Sequence, residues 1–233
     1  MARVTVVGIG PGPLSWLTME AERELRLAHK VFFRTSAYPA YDWLRELGKE
    51  VVCFDMLYRL PRPHPGKIYE FIAAILLKEA DIRGHAVYAI PGSPFVLEDT
   101  TRLLRLRGAA SGVEIRIIHG MSFLEPALSV INQDDVGLQI VLPHTHLQHG
   151  RFSPRLPLLV CQIEARSSSS RAPSVMEWLL KTYPPNHAVT LIWTEGLPDY
   201  QTLSKIIELR NLNREYGDGK YYASLYVPSF GVA

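Results

Sequence analysis

Two patterns place this chain in the α/β class, with a parallel sheet in its first half and a mixed sheet in its second. From the amino terminus to about residue 119, short apolar runs alternate with amphipathic stretches, as in β-α-β units whose crossover helices cover a parallel sheet. Beyond that point, strand-like segments are separated by longer loops, with one clear helix at Met176 to Thr182. With 233 residues, 47% of them hydrophobic, the chain can bury a substantial core as one large domain or as two lobes, 1–119 and 120–233.

Val4 to Val7 form the first strand, Gly8 to Pro13 a turn, and Thr18 to Ala28 a helix. Lys30 to Arg34 and Val51 to Phe54 follow as strands around a short helix at Ala40 to Leu47. The prolines of Arg59 to Gly66 remove backbone donors and favour extended neighbours, so that segment reads as a loop. Lys67 to Lys78 resume a helical pattern. Ala86 to Ile90 supply a fourth strand ending in Pro91-Gly92-Ser93-Pro94, Thr100 to Gly108 a helix, and Val113 to Ile118 a fifth strand. Ser122 to Ile131 read as a helix with Ser122 as N-cap and Glu125 at capping-box spacing. In the second half, Gly137 to Leu142, Leu158 to Ile163, Ala188 to Trp193 and Tyr221 to Val227 are strand candidates, and Ser167 to Ser170 read as a solvated loop.

Composition narrows the function classes. The net charge of +2 comes from 25 basic and 23 acidic residues scattered along the chain, which leaves no electrostatic footprint for nucleic acid or an anionic membrane. A small-molecule or peptide partner is expected. Cys53 and Cys161 are in neither disulfide-framework nor zinc-ligand spacing, which points to a reducing, cytoplasmic setting. The amino terminus lacks the pattern of a signal peptide, and no apolar run reaches the ~18 to 20 residues of a membrane span.

Gly8-Ile9-Gly10-Pro11-Gly12-Pro13 lies where the first strand meets the first helix, the edge at which open parallel sheets bind ligands. A dinucleotide fingerprint needs a glycine where Pro13 stands and an acid where the second strand ends in Arg34, so NAD is disfavoured and NADP is a poor second. No GK[ST] follows, which excludes a P-loop. A second glycine turn, Pro91-Gly92-Ser93-Pro94, ends another strand of the same sheet, and His119-Gly120-Met121-Ser122-Phe123 follows the fifth. Two readings stay open for these turns: tight packing alone, or close backbone approach to a ligand, which Gly8, Gly10 and Gly92 permit by lacking a Cβ.

These segments resemble the tetrapyrrole (corrin and porphyrin) methylase family, whose signature is G-x-G-P-G-x-x-x-x-L-T followed by a helix and a second strand. His29 stands in place of the usual Asp before that strand, Ser93 in place of the aspartate of the family's G-D-P, and His119 in place of a proline. LLVCQIEA, AVTLIWTEG and LYVP resemble strands of the second lobe. FDMLY, PGSPFVLEDT and HGMSFL are similar to the branch in which such a domain precedes a MazG-type nucleotide pyrophosphohydrolase. More distantly, the chain resembles the borosin peptide-backbone N-methyltransferases. That set uses tyrosines corresponding to Tyr58 and Tyr69, together with an arginine that has no counterpart near Pro65.

The resemblance implies a two-lobe tetrapyrrole-methylase fold that binds S-adenosylmethionine (SAM) in the cleft between the lobes, yields S-adenosylhomocysteine (SAH) and forms a homodimer. SAM would be held at Gly8, Ile9, Gly10 and Pro11; at Pro91, Gly92, Ser93 and Val96; at Met121, Ser122 and Phe123; and at Cys161 and Gln162. Tyr58 and Tyr69 would position an acceptor or act as weak bases, against a plain reading as amphipathic rim residues. SAM carries no phosphates, so such a site needs donors, acceptors and backbone approach but no lysine clamp. A degenerate SAM-binding or regulatory module, favoured by Ser93, and a ligand-free dimerisation scaffold are the alternatives to an active enzyme.

Other candidates have blander readings. Arg59, Arg62 and His64 fit a solvated loop better than recognition of acidic substituents. His144, His146 and His149 lack an accompanying acid or cysteine, so no metal site is expected. Asp134 and Asp135 read as turn residues, Glu98 and Asp99 as helix caps, and Cys161 as a buried strand residue.

Overall fold

The first strand, β1 (Arg3–Gly8), is buried along nearly all its length because both faces of its sheet are covered. The computed structural model describes residues 1–59, 65–132, 136–143, 146–163, 174–194, 202–216 and 223–231. The chain divides into two units, Met1–Phe123 and Leu124–Ala233.

In the first unit, β1 is followed by α1 (Met19–Leu27), β2 (Lys30–Phe33), α2 (Pro39–Glu46), β3 (Glu50–Cys53), α3 (Asp55–Tyr58), α4 (Pro65–Arg83), β4 (His85–Ile90), α5 (Asp99–Ser111) and β5 (Glu114–Ile118). The strand order is β3-β2-β4-β1-β5, and every pairing is parallel. Alternation along the strands sorts the core onto two faces. Val4, Val6, Phe32, Tyr88 and Ile90 pack with Ile72 and Leu76 of α4 and Leu104 of α5. Val7, Val31, Phe33, Val87 and Ala89 pack with Leu25 of α1 and Leu44 of α2. From β1 the chain moves outward to β2 and β3, then returns to insert β4 beside β1 and to add β5 on β1's other side. That reversal makes the carboxyl ends of β1 and β4 the switch point of the sheet, where such folds place ligands.

Local signals explain the helix boundaries. Thr18 caps α1, its Oγ1 accepting from Ala21 N at 3.1 Å. Glu98 caps α5, which ends at Gly112 with φ 67°. The expected helix at Lys67 to Lys78 extends in both directions to fill α4, and the four-residue α3 is an addition to the elements read from sequence.

The second unit comprises α6 (Leu124–Ile131), β6 (Gln139–Val141), β7 (Leu158–Ile163), α7 (Val175–Leu179), β8 (Ala188–Trp193), β9 (Leu203–Glu208), α8 (Leu212–Tyr216) and β10 (Ala223–Val227). Its sheet runs β6-β7-β10-β8-β9. β6 and β7 are parallel and the other pairs antiparallel, so the sheet is mixed as expected. Leu158, Val160, Ile163, Leu191, Leu225 and Val227 form its core with Leu179 of α7, whose start is fixed by a capping box between Ser174 and Glu177. β9 and α8 were not expected. Helix α6 begins at Leu124, so Ser122 lies one position upstream of the cap assigned to it. Ser167 to Ser170 lie outside the described residues. Among the described residues no helix is long and apolar enough to cross a membrane.

Candidate functional site

Three connections meet at the carboxyl edge of the parallel sheet. Ile9 N donates to Ile90 O at 2.9 Å and Gly92 N to Gly10 O at 2.9 Å, so the turns after β1 and β4 are joined by an antiparallel bridge between Gly10 and Gly92. The segment after β5 packs directly beneath them. A Cβ on Gly8 would lie 2.6 Å from Gly120 N and 2.7 Å from Gly92 O, and one on Gly120 would lie 2.5 Å from both Gly8 C and Gly92 O. The structure therefore brings Gly8, Ile9, Gly10, Pro11, Pro91, Gly92 and Met121 together on one backbone platform. Ser93 and Val96 continue the second turn, where Val96 N donates to Ser93 O at 3.2 Å, and Ser122 and Phe123 continue the third, both buried.

The glycines do not share one role: of the two readings left open for these turns, packing describes Gly8, while space for close approach is left at Gly92. The missing Cβ of Gly8 is space occupied by protein backbone. Gly10 has φ +73°, and a Cβ there would stand 3.2 Å from Trp16 O. Gly92 has φ +68° and faces open space, with Met121 O at 4.0 Å from a Cβ placed there. Of the three, Gly92 is the one whose bare Cα offers approach to a ligand.

The connection from β4 to α5 carries a second feature. Leu97 has φ 55°, a conformation that costs an L-residue energy, and Glu98 follows it with its side chain 2% exposed. Glu98 Oε1 accepts from Thr100 N at 3.1 Å and Oε2 from Arg34 Nη1 at 2.5 Å. Arg34 extends β2, its N donating to Ala89 O at 3.1 Å. Its guanidinium carbon lies 5.6 Å from the centre of the Tyr69 ring. Burial opposes the charge on Arg34, but Glu98 and the neighbouring phenols outweigh it and hold its pKa well above the ordinary value.

Tyr69, on α4, thus lies against this guanidinium, and Tyr58, at the end of α3, lies within reach of its charge. The Tyr58 hydroxyl is buried and has no hydrogen-bond partner of good geometry among the described residues, and the same holds for the hydroxyls of Tyr88 and Thr100. Burial pushes the Tyr58 phenol above its ordinary pKa, with Arg34 opposing that rise. The raised pKa keeps Tyr58 protonated as a phenol, so its hydroxyl can donate a hydrogen bond. Burial and the charge of Glu98 push Tyr88 well up too. Sequence reading passed over Arg34 and Tyr88 as site residues and took Glu98 only as a cap, a role it does fill. The available signals were an arginine ending a buried strand and a tyrosine inside an otherwise aliphatic one.

Cys161 and Gln162 lie in the second unit, on β7. Cys161 is fully buried, as expected of a strand residue, and burial pushes its thiol up to about 12, which removes it as a nucleophile. Gln162 has φ 55° and is exposed at a bulge where two residues of β7, Cys161 and Gln162, stand opposite one of β10, Ser224. His146 Nδ1 accepts from Leu142 N at 3.1 Å. Arg59 is exposed. Arg62, His64, Asp134, Asp135 and His144 lie outside the described residues.

A doubly wound parallel sheet with glycine turns joined at its carboxyl edge, followed in the chain by a mixed five-stranded sheet, defines a class of two-sheet α/β proteins. Residues 3–209 match the family described as Tetrapyrrole (Corrin/Porphyrin) Methylases; the chain belongs to that family. It is 30% identical over 223 residues to "Uncharacterized protein YabN" of Bacillus subtilis (strain 168), with 92% of this chain and 44% of that protein covered. The chain therefore spans less than half of that relative's length. Among solved structures it is similar to uroporphyrin-III C-methyl transferase from Thermus thermophilus complexed with S-adenyl homocysteine, with a TM-score of 0.69, 18% identity and 97% of each chain covered. It is also similar to the methyltransferase CobJ, with a TM-score of 0.69, 15% identity, and 100% and 98% coverage. For diphthine synthase the TM-score is 0.65, with 17% identity and coverage of 100% and 92%. At these identities the likeness is one of fold.

Proposed function

We propose that the chain is a SAM-dependent methyltransferase whose glycine platform holds the adenosyl ligand and whose Tyr58 and Tyr69 face the methyl acceptor. The observation that carries this reading is the open side of Gly92 beside Met121 O, at the switch point of the sheet, where a ligand without phosphates can reach backbone groups directly. Bound SAM would supply a methyl group on a sulfonium that carries its own activation. Gly10, Gly92 and Met121 would hold and orient it through their backbone groups. Tyr58, as a phenol, would donate to one lone pair of an acceptor oxygen and leave the other directed at the methyl. Orientation of this kind is worth about 7–11 kcal/mol in favourable cases, and a separate base is required only where the acceptor still holds a proton at attack.

Membership of the methylase family and the solved methyltransferases of the same fold support this reading. The acceptor is a small molecule or a peptide. A homodimer, and a MazG-type domain beyond the segment shared with the longer relative, belong to the same proposal and rest on the sequence resemblance. Ser93, where the family carries an aspartate, favours a second reading in which the domain binds SAM or SAH as a regulatory module without turnover. Calorimetric titration with SAM and SAH, with NADPH and ATP as controls, tests both readings. Micromolar binding of the adenosyl pair alone is expected; binding of neither rules out the enzyme and the module together.

A further inference from the structure

We propose that Arg34, clamped by Glu98, is a positioning residue that sets Tyr58 and Tyr69 as a pair for the acceptor. The inference rests on the proposed methyltransferase reading for what the tyrosines face, and on geometry for the rest. Arg34 comes from the end of β2, Tyr58 from α3, Tyr69 from α4 and Glu98 from the approach to α5, so no local sequence interaction arranges them. The one group common to the arrangement is the guanidinium. It donates to Glu98 Oε2 at 2.5 Å and stands 5.6 Å from the Tyr69 ring centre, and its charge also acts on the Tyr58 phenol.

The clamp is itself held firmly. Glu98 is 2% exposed and its second oxygen is engaged by the first turn of α5, so the carboxylate cannot swing away without uncapping the helix. The preceding residue, Leu97, adopts a left-handed backbone conformation with φ 55°. A strained residue directly before a buried carboxylate is the kind of local cost that persists where the surrounding structure requires a particular geometry. A planar guanidinium can bond a carboxylate with one edge and present its face to a ring, which an ammonium cannot do. Arg34 therefore combines two tasks that lysine would divide.

This role differs from charge recognition of a substrate. Glu98 already neutralises Arg34, so the guanidinium is not a spare cation waiting for an anionic acceptor. What it supplies is a fixed face for the Tyr69 ring and a fixed charge near the Tyr58 phenol.

The test uses the whole chain labelled with 3-fluorotyrosine, with the Tyr58 and Tyr69 fluorine resonances assigned through Tyr58→Phe and Tyr69→Phe. Arg34→Gln and Glu98→Gln should shift both resonances, together with that of Tyr88, and leave the rest of the 11 tyrosines in place. Arg34→Lys, which keeps the charge but loses the planar face, should restore Tyr58 more fully than Tyr69. Unmoved Tyr58 and Tyr69 resonances in a folded Arg34→Gln protein overturn the proposal. So do shifts spread evenly over all the tyrosines, which mark a general structural role. Titrating the same samples with SAH separates the two layers. Loss of SAH binding in the wild type defeats the methylase reading, whereas wild-type binding with uncoupled tyrosines defeats only the positioning role.

Discussion

Replacing Gly8 and Gly92 by alanine, one at a time, separates packing from ligand approach. A Cβ on Gly8 meets Gly120 N at 2.6 Å and both Gly92 O and Pro94 Cδ at 2.7 Å. Comfortable contacts are about 3.5 Å or longer, so two backbone turns and a proline ring must retreat by nearly an ångström. Overpacking typically costs about 1–3 kcal/mol, and because backbone on two sides must yield, Gly8→Ala belongs at the upper end, near 3 kcal/mol. Gly92→Ala meets no such wall; its penalty is the left-handed backbone, about 1–2 kcal/mol. Urea titration followed by circular dichroism should therefore rank Gly8→Ala as the less stable variant. Calorimetry with SAH should separate the two differently. Gly92→Ala places a methyl group in the open space beside Met121 O and should lose at least about tenfold in affinity, roughly 1.4 kcal/mol, while remaining folded. A wild-type unfolding midpoint for Gly8→Ala refutes the packing argument, and wild-type SAH affinity for Gly92→Ala refutes the placement of the ligand.

Two further outcomes follow from other parts of the molecule. Cys161 is fully buried, with its thiol pushed up to about 12 by desolvation, so at pH about 8 a thiol reagent should label Cys53 alone and reach Cys161 only after denaturation; rapid labelling of both in the native protein contradicts the burial. For Asp55, burial pushes the carboxyl up, but hydrogen bonds from Ser36 Oγ at 2.5 Å and Ser36 N at 3.0 Å outweigh it and hold it below the ordinary 3.8. Its stabilising contribution is complete above that ordinary value and is lost as pH falls through the lower folded value. Asp55→Asn should flatten stability against pH in the acid range below about 4, and an unchanged acid profile refutes that assignment.

The parallel sheet was legible because its central strands, β1, β2 and β4, are buried along nearly all their length. Val4 to Val7 appear in sequence as a run of β-branched residues that includes Thr5, and Ala86 to Ile90 as an aliphatic run around Tyr88, and the helices between them carry helical periodicity. Strand β9 was not legible, since an edge strand with Leu203, Lys205 and Ile206 exposed shows neither a continuous run nor a clean alternation. The glycine turns could be located from sequence, but the division of labour among Gly8, Gly10 and Gly92 could not, because it depends on Gly120, a residue over a hundred positions away that packs against Gly8. The Arg34–Glu98 clamp was hidden for the same reason: its members are 64 residues apart, and each has an ordinary local explanation.

The bulge in β7 has a consequence for how that strand is spelled. Leu158 and Val160 point into the core of the second unit, Leu159 and Cys161 point away from it, and strict alternation would send the next residue inward again. Gln162 stands at that position, yet it is exposed, and Ile163 takes the inward place. Gln162 is therefore a supernumerary letter. Excising it would leave a shorter strand with the same side chains on the same faces, so the core of the second unit does not itself require the extra residue.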